Sequence, residues 1–278
     1  MDIGTAKPTA AEMAGVPHHL IDIADPTDDY SLALYQRDAY QAIDDILRRG
    51  RIPILAGGTP LYVNAVLEGW RIPAVPPSPS FRAAMQRIAE TEGAEALHRR
   101  LAAVDPVSAG RIPAGNVRRV VRALEIQHYT GTPMSELAGR VPPPYRTLII
   151  GLTRPRDTVI ARVDRRVDEM VAAGLVEEVR RLLANGVPPD APAMSAIGYG
   201  EIVDYLNGRC TLSEAIERIK VHNHRYIRHQ LTWLRRMRDV HWFNLEEPGW
   251  YEALRALVDA FLRQPPAEET ALGAGYVG

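Results

Sequence analysis

The 278-residue sequence has one cysteine, two lysines and three phenylalanines. The lone thiol, Cys210, excludes an intramolecular disulfide and any zinc site built from several thiolates. No run of eighteen apolar residues occurs, so no segment has the composition of a membrane-spanning helix. The first twenty residues contain neither a charged region leading into an apolar stretch nor an arginine-rich amphipathic leader, and the expectation is a cytoplasmic protein without membrane attachment. No G-x-x-x-x-G-K-[ST] loop occurs at any position, so the commonest phosphate cradle is missing. The net charge of −1 carries no global excess of positive charge with which to hold a polyanion.

What is present is unevenly placed. With 46% hydrophobic and 24% charged residues the chain reads as one large or two modest globular domains. Between Arg218 and Arg238 lie Arg218, Lys220, Arg225, Arg228, Arg235, Arg236 and Arg238, with His222, His224 and His229 among them and no acid. Lys7 and Lys220 are the only lysines, so the basic groups are nearly all guanidiniums, whose planar fork suits phosphate. GC-rich codon usage produces the same arginine bias.

The coarse pattern alternates apolar runs of strand length with helical periodicity. The opening Met1-Asp2-Ile3-Gly4-Thr5-Ala6-Lys7-Pro8 has no strand or glycine-rich loop before it and reads as the middle of a domain; a buried strand is expected over Val16–Ile23. Ser31 caps an expected helix to about Arg49, and Ile52–Ala56 is a second expected strand. It leads through Gly57-Gly58-Thr59 into a helix from Pro60 to about Glu68. That turn serves either a tight backbone bend or a ligand at the end of the strand. Pro73, Pro76, Pro77 and Pro79 open a helical excursion, with a basic helix at Asn116–Tyr129 carrying Arg118, Arg119 and Arg122 beside an apolar stripe of Val117, Val120, Val121 and Leu124.

Further strands are expected at Thr147–Leu152 and Val240–Phe243. Helices are expected at Arg156–Asn185, Met194–Asn207, Thr211–Arg238 and Trp250–Arg263, and the last residues read as a disordered tail. Four strands separated by helices predict a doubly wound parallel α/β sheet with helical insertions. The corresponding divisions are 1–70 (first part of the α/β core), 71–145 (helical excursion with the basic helix 116–129), 146–155 (core strand), 156–210 (helical part), 211–264 (basic helix, last strand, closing helix) and 265–278 (tail). His18 and His19 alternate faces and have no second ligand pair at zinc spacing, so packing or hydrogen-bonding histidines are expected. At their spacings Trp233, Trp242 and Tyr226 are expected to pack rather than stack on bases.

Six colinear segments exceed what periodicity explains: MDIGTAKP at Met1–Pro8, GVPHHLIDI at Gly15–Ile23, GGTPLYVNAVLEG at Gly57–Gly69, VRRVVRALEI at Val117–Ile126, AIGYGE at Ala196–Glu201 and RHQLTWLRR at Arg228–Arg236. Together they resemble the tRNA dimethylallyltransferases, also called tRNA isopentenyltransferases, from Met1 to about Arg263. The resemblance implies a P-loop-type α/β core with helical additions. It also implies transfer of a dimethylallyl group from dimethylallyl diphosphate to N6 of the adenosine 3′ of the anticodon, with Mg2+ assisting the diphosphate, in a cytoplasmic monomer. Such chemistry needs a base at N6, positive charge at the leaving group, and a target base drawn out of its stack.

Residue by residue, the resemblance makes Thr59 the catalytic-channel threonine near the reacting adenosine and Arg82 a tRNA contact. It gives tRNA-facing roles to Arg118, Arg119, Val120, Val121 and Arg122 and to Ser195, Ala196, Ile197, Gly198, Tyr199 and Gly200. The tRNA signature is expected at Arg228, His229, Gln230, Leu231, Thr232, Trp233, Leu234 and Arg235. Arg162 and Arg166 resemble arginines near the diphosphate. Within the signature, Arg228, Thr232 and Arg235 share one helical face, and Ile227, Leu231 and Leu234 another. Gly200 and His229 stand where basic residues are usual, which predicts a slightly shallower salt dependence of tRNA binding.

The family's glycine-rich P-loop and its D-S-x-x-V-Y segment, whose aspartate is the proposed base, lie upstream of MDIGTAKP. The sequence as written therefore predicts a truncated or wrongly started family member with little catalysis of its own. The alternatives are a non-catalytic tRNA-binding remnant and an adenylate prenyltransferase; the latter would have little use for the arginines at Arg118 and Arg228.

Overall fold

The computed structural model describes residues 1–264, and the tail expected at 265–278 lies outside them. In chain order the elements are α1 (Ala10–Met13), α2 (Leu32–Arg48), α3 (Pro60–Leu67), β1 (Trp70–Arg71), α4 (Pro79–Thr91), α5 (Ala94–Val104), α6 (Pro106–Arg111), α7 (Val117–Thr130), α8 (Met134–Leu137), β2 (Gly139–Arg140), β3 (Ile149–Thr153), α9 (Arg156–Ala172), α10 (Leu175–Ala184), a 3₁₀ turn (Pro192–Ser195), α11 (Tyr199–Leu206), α12 (Leu212–Leu234), β4 (Val240–Asn244) and α13 (Trp250–Arg263). They divide into two compact units: Met1–Tyr30 with Gly58–Pro60 and the chain from Pro144 onward, and Ser31–Gly57 with Leu61–Pro143.

In the first unit β3 and β4 pair in parallel, with Ile149 opposite Val240 and Thr153 opposite Asn244. Trp242 lies across the ladder against Gly151, where any side chain would collide with the indole. The helices α9 to α12 build the main core, in which Val167, Leu175, Val179, Met194, Tyr199, Ile202, Ala215 and Ile219 are buried together. Met1 and Ile3 pack on that core. Their segment is anchored by the buried Glu178 carboxylate, which accepts the N–H groups of Asp2 (3.0 Å) and Ile3 (2.6 Å) and the Tyr199 hydroxyl. Burial and the hydrogen bond to Glu178 together push the Tyr199 phenol well above its ordinary range. α12 starts on a capping box in which Thr211 Oγ1 accepts the Glu214 N–H and the Glu214 carboxylate accepts the Thr211 N–H.

The second unit is helical, with a core of Leu97, Leu101, Ala109, Ile112, Val120, Val121, Ala123 and Leu124 drawn from α5, α6 and α7. Asp105 caps α6 and accepts the N–H groups of Ser108 and Ser135, both at 2.9 Å. Those bonds outweigh the upward push of burial and hold its carboxyl low. Asn116 caps α7 by accepting the Arg119 N–H. Gln36 of α2 donates to the carbonyls of Ala65 and Trp70, tying α2 to the end of α3. β1 and β2 form a short antiparallel pair that the sequence pattern does not announce.

The architecture is mixed α/β and mostly helical. Two of the four expected strands differ: Val16–Ile23 and Ile52–Ala56 have no ladder partner among the described residues. Most of their apolar side chains are exposed, Val16 at 61% and Ile54 at 85%, with Leu20 and Ile21 half-buried, and Leu20 and Asp22 adopt positive φ, which interrupts an extended run. A strand is stable only with a neighbour to satisfy its backbone, and an apolar run does not by itself supply one. The helix expected over Arg156–Asn185 is split at Gly174 (φ 100°), and that expected over Met194–Asn207 at Gly198 (φ 103°), backbone conformations that favour glycine and end a helix.

Candidate nucleic-acid interface

The Gly58–Pro60 turn is docked on α12. Gln230 Nε2 donates to the Gly58 carbonyl, and the Thr59 hydroxyl lies 3.2 Å from the Tyr226 hydroxyl. Thr59 and Gln230, 171 residues apart by number, are thus joined through Gly58 and Tyr226 in one exposed patch. Tyr226 is held by a polar contact and partly exposed rather than packed away, which corrects the packing expectation for it. Trp233 is likewise partly exposed, and so is Trp242, whose ring nonetheless lies against Gly151 of the sheet.

α12 changes character along its length. In its first half Ala215 and Ile219 are buried, and the charges are partnered: Lys220 with Asp168 at 2.8 Å, His224 with Asp164 at 2.6 Å, His222 with Glu201, and Arg218 with Asp204 at 3.7 Å. The Asp168 carboxylate raises the affinity of Lys220 for its proton. From Arg225 onward no residue of the helix is buried. α12 ends at Leu234, short of the expected Arg238, where the chain turns toward β4. Arg225, Arg228 and His229 on the helix, Arg235 at its C-cap, and Arg236 and Arg238 in the turn beyond are exposed and have no acidic partner among the described residues. The expected two-faced pattern is present: Ile227, Leu231 and Leu234 are half-buried while Arg228, Thr232 and Arg235 face solvent, Thr232 also bonding back to the Arg228 carbonyl.

Arg162 and Arg166 lie one turn apart on the exposed side of α9, with Arg165 beside them. The Ser195–Gly200 segment separates into two kinds of residue. Ser195 and Ala196 are exposed and Ile197 and Gly200 half-buried, but Tyr199 is fully buried and Gly198 closes the entry to α11. Gly198 N–H donates to Glu201 at 2.8 Å. Tyr199 therefore serves the core and the Glu178 anchor rather than an external ligand.

In the second unit Arg118 and Arg119 are exposed on α7, whereas Val120 (0% exposed) and Val121 (6%) belong to the core. The spacing that turns three arginines outward turns these two valines inward, so their expected ligand contacts reduce to a scaffold role. Arg82 of α4 and Arg122 of α7 converge on Glu125, which is fully buried. Glu125 was not among the expected site residues. An acid within an amphipathic helix ordinarily reads as solvated, and the only hint is its place four residues after Val121, on the apolar side. Arg82, Ala83, Gln86, Arg118, Val121 and Arg122 line a concavity of about 690 Å³.

His18 bonds only to the Val16 carbonyl (2.8 Å) and is exposed. Among the described residues no group of three or more His, Cys, Asp or Glu side chains is placed to hold a metal ion. No helix among them is long and apolar enough to cross a membrane.

Each unit thus presents a basic helix surface, and comparison with known proteins places the chain in a family. Residues 1–237 match the family model described as IPP transferase. A protein of Thermomicrobium roseum named tRNA dimethylallyltransferase is 63% identical over 268 residues, covering 96% of this chain and 82% of its own length. One of the same name from Roseiflexus castenholzii is 50% identical, covering 93% and 84%. Among solved structures, a full-length tRNA isopentenylpyrophosphate transferase from Bacillus halodurans superimposes with a TM-score of 0.67 at 42% identity, over 94% of this chain and 84% of that one. A eukaryotic dimethylallyltransferase acting on tRNA gives a TM-score of 0.74 at 26% identity, over 96% and 71%. The chain belongs to the IPP transferase family.

Proposed function

We propose that this protein is a tRNA dimethylallyltransferase that modifies N6 of the adenosine next to the anticodon, with dimethylallyl diphosphate as donor. In the reaction N6 forms a bond to C1 of the dimethylallyl group, the C1–O bond to diphosphate breaks, and one N6 proton is released. The observation that carries this reading is the run of exposed arginines on the second half of α12 and the turn that follows it, beside Thr59, a cationic surface that no acid of the described residues pairs with. Arginines of this kind bind backbone phosphate, release counterions and orient the RNA without reading its sequence.

On this reading Arg228 and Arg235 grip the anticodon arm, Gln230 and Tyr226 hold the Thr59 turn at the extruded adenosine, and Arg118, Arg119 and Arg82 engage neighbouring phosphates. Arg162 and Arg166 supply positive charge toward the diphosphate, where it offsets the charge that develops on the leaving group. No step is assigned to magnesium. The segment 156–210 would act as the helical tRNA-binding part, beside the basic helices of 71–145 and 211–264. The parallel pair β3–β4, with helices between its strands, is compatible with a doubly wound P-loop-type sheet, and a monomer suffices for every contact named.

The test supplies labelled dimethylallyl diphosphate together with either an anticodon stem-loop or free AMP. Label in the stem-loop that disappears when the target adenosine is replaced by guanosine is the expected result. Label in AMP would make the protein an adenylate prenyltransferase, and salt-sensitive stem-loop binding without label would reduce it to a tRNA-binding protein.

A further inference from the structure

Glu125 is surrounded by more positive charge than it needs. Its Oε1 accepts the Ser78 N–H (2.8 Å) and Arg82 Nε (2.9 Å), while Oε2 accepts Arg82 Nη2 (2.8 Å) and Arg122 Nη1 (2.7 Å). Arg122 Nη2 also donates to the Val75 carbonyl at 2.9 Å. One arginine would neutralise this carboxylate; the concavity above it is lined by Arg82, Arg118 and Arg122, so three guanidiniums against one carboxylate leave an excess of two positive charges. Arg82 is 45% and Arg122 31% exposed, so that excess faces the opening while Glu125 lies entirely beneath it.

We propose that Glu125 is a positioning residue for the tRNA: it clamps Arg82 and Arg122 edge-on so that, with Arg118, they form a seat for one backbone phosphate. This rests on the tRNA reading above. An arginine carries roughly 2 kcal/mol of rotamer entropy that an unclamped side chain would lose on gripping a phosphate. The clamp meets that cost when the protein folds, so less is lost on binding. Glu125 also fixes where α4 begins, because Ser78, whose N–H it holds, is the α4 cap. A buried ion pair is weak as a stabiliser of the fold compared with apolar packing, so a geometric role accounts better for an acid in this core.

The proposal can be separated from simple electrostatics by sign. Glu125→Gln adds one unit of positive charge to the site, so charge alone would tighten tRNA binding and steepen its salt dependence. Clamping predicts weaker binding, by about tenfold, with a salt slope shallower by about one. Stem-loop affinity would be measured across a salt series for the full chain, for Glu125→Gln, Arg82→Lys, Arg82→Gln and Arg118→Gln, and for the double variant Glu125→Gln with Arg82→Gln.

Arg82→Lys keeps the charge and loses the side-on pairing. It should weaken binding about fivefold at a temperature where its circular dichroism shows it fully folded, and it carries the test if Glu125→Gln does not fold. In the Arg82→Gln background the effect of Glu125→Gln should shrink below about twofold, as expected for a residue acting through another. Unchanged or tighter binding by Glu125→Gln, or unchanged binding by Arg82→Lys, overturns the clamp. If Arg82→Gln and Arg118→Gln also leave binding unchanged, the tRNA assignment of this surface fails with it; if they weaken binding, only the clamp fails.

Discussion

The two halves of α12 are continuous in backbone and opposite in how they use charge. From Leu212 to His224 the basic residues are partnered by acids on α9, α11 or α12 itself, and Ala215 and Ile219 are buried. From Arg225 through the end of the helix at Leu234 and the turn to Arg238 the basic residues face solvent, and half-buried Ile227, Leu231 and Leu234, with Gln230 and Tyr226 at the Gly58–Thr59 turn, hold the helix. The first half uses its charges in the fold and the second keeps them for a ligand. Counting arginines would miss this division, because what separates the halves is the position of Asp164, Asp168, Glu201 and Asp204 on neighbouring elements.

The sharpest way to break this contrast is to remove a core side chain from the first half. Ile219→Ala should destabilise the protein by about 3 kcal/mol, read by denaturant unfolding, while the salt slope of tRNA binding stays as it was. Acid should act on the buried pairing in the other unit. Burial pushes the Glu125 carboxyl up, but hydrogen bonds from Arg82, the Ser78 N–H and Arg122, and the charge of Arg82, hold it at about 2. Because its folded value lies below the ordinary carboxylate range, its contribution is complete above about pH 4.5 and is lost as the pH falls toward 2. That amounts to about 3 kcal/mol, to be followed by thermal unfolding across that window and to be absent in Glu125→Gln.

Next in size, Arg228→Gln with Arg235→Gln should weaken tRNA binding by about thirtyfold at low salt and leave the unfolding temperature within about 2 °C of the parent. Asp168→Asn should do the reverse. It costs about 0.5 kcal/mol of stability through the Lys220 pair and leaves tRNA affinity within about twofold. His229→Arg is the smallest change, adding one cation to the exposed face and steepening the salt slope by about 0.9 in magnitude.

Much of this was legible in sequence where local chemistry decides the outcome. The capping residues Ser31, Asn116 and Thr211 mark where α2, α7 and α12 begin, and the acid-free run after Arg218 points to the cationic helix. The division within that run was not legible, since the acids that pair with its first half come from other elements. Gly174 and Gly198 carry positive φ, a property of the local backbone that helical periodicity hides. Val16–Ile23 and Ile52–Ala56 have the composition of buried strands, but composition does not specify a ladder partner, and neither pairs with a strand among the described residues. Val120, Val121 and Tyr199 stand inside motifs resembling tRNA-facing segments yet point into the core, because a motif in sequence includes the scaffold between its contacts.

The most direct measurement is the salt dependence of stem-loop binding for the parent chain and for the Arg228→Gln, Arg235→Gln double variant. If the second half of α12 is a phosphate-binding surface, the logarithmic slope of the variant should be shallower by about 1.5, with unchanged stability. Equal slopes in the two proteins would contradict that assignment and return these arginines to an ordinary solvated helix face.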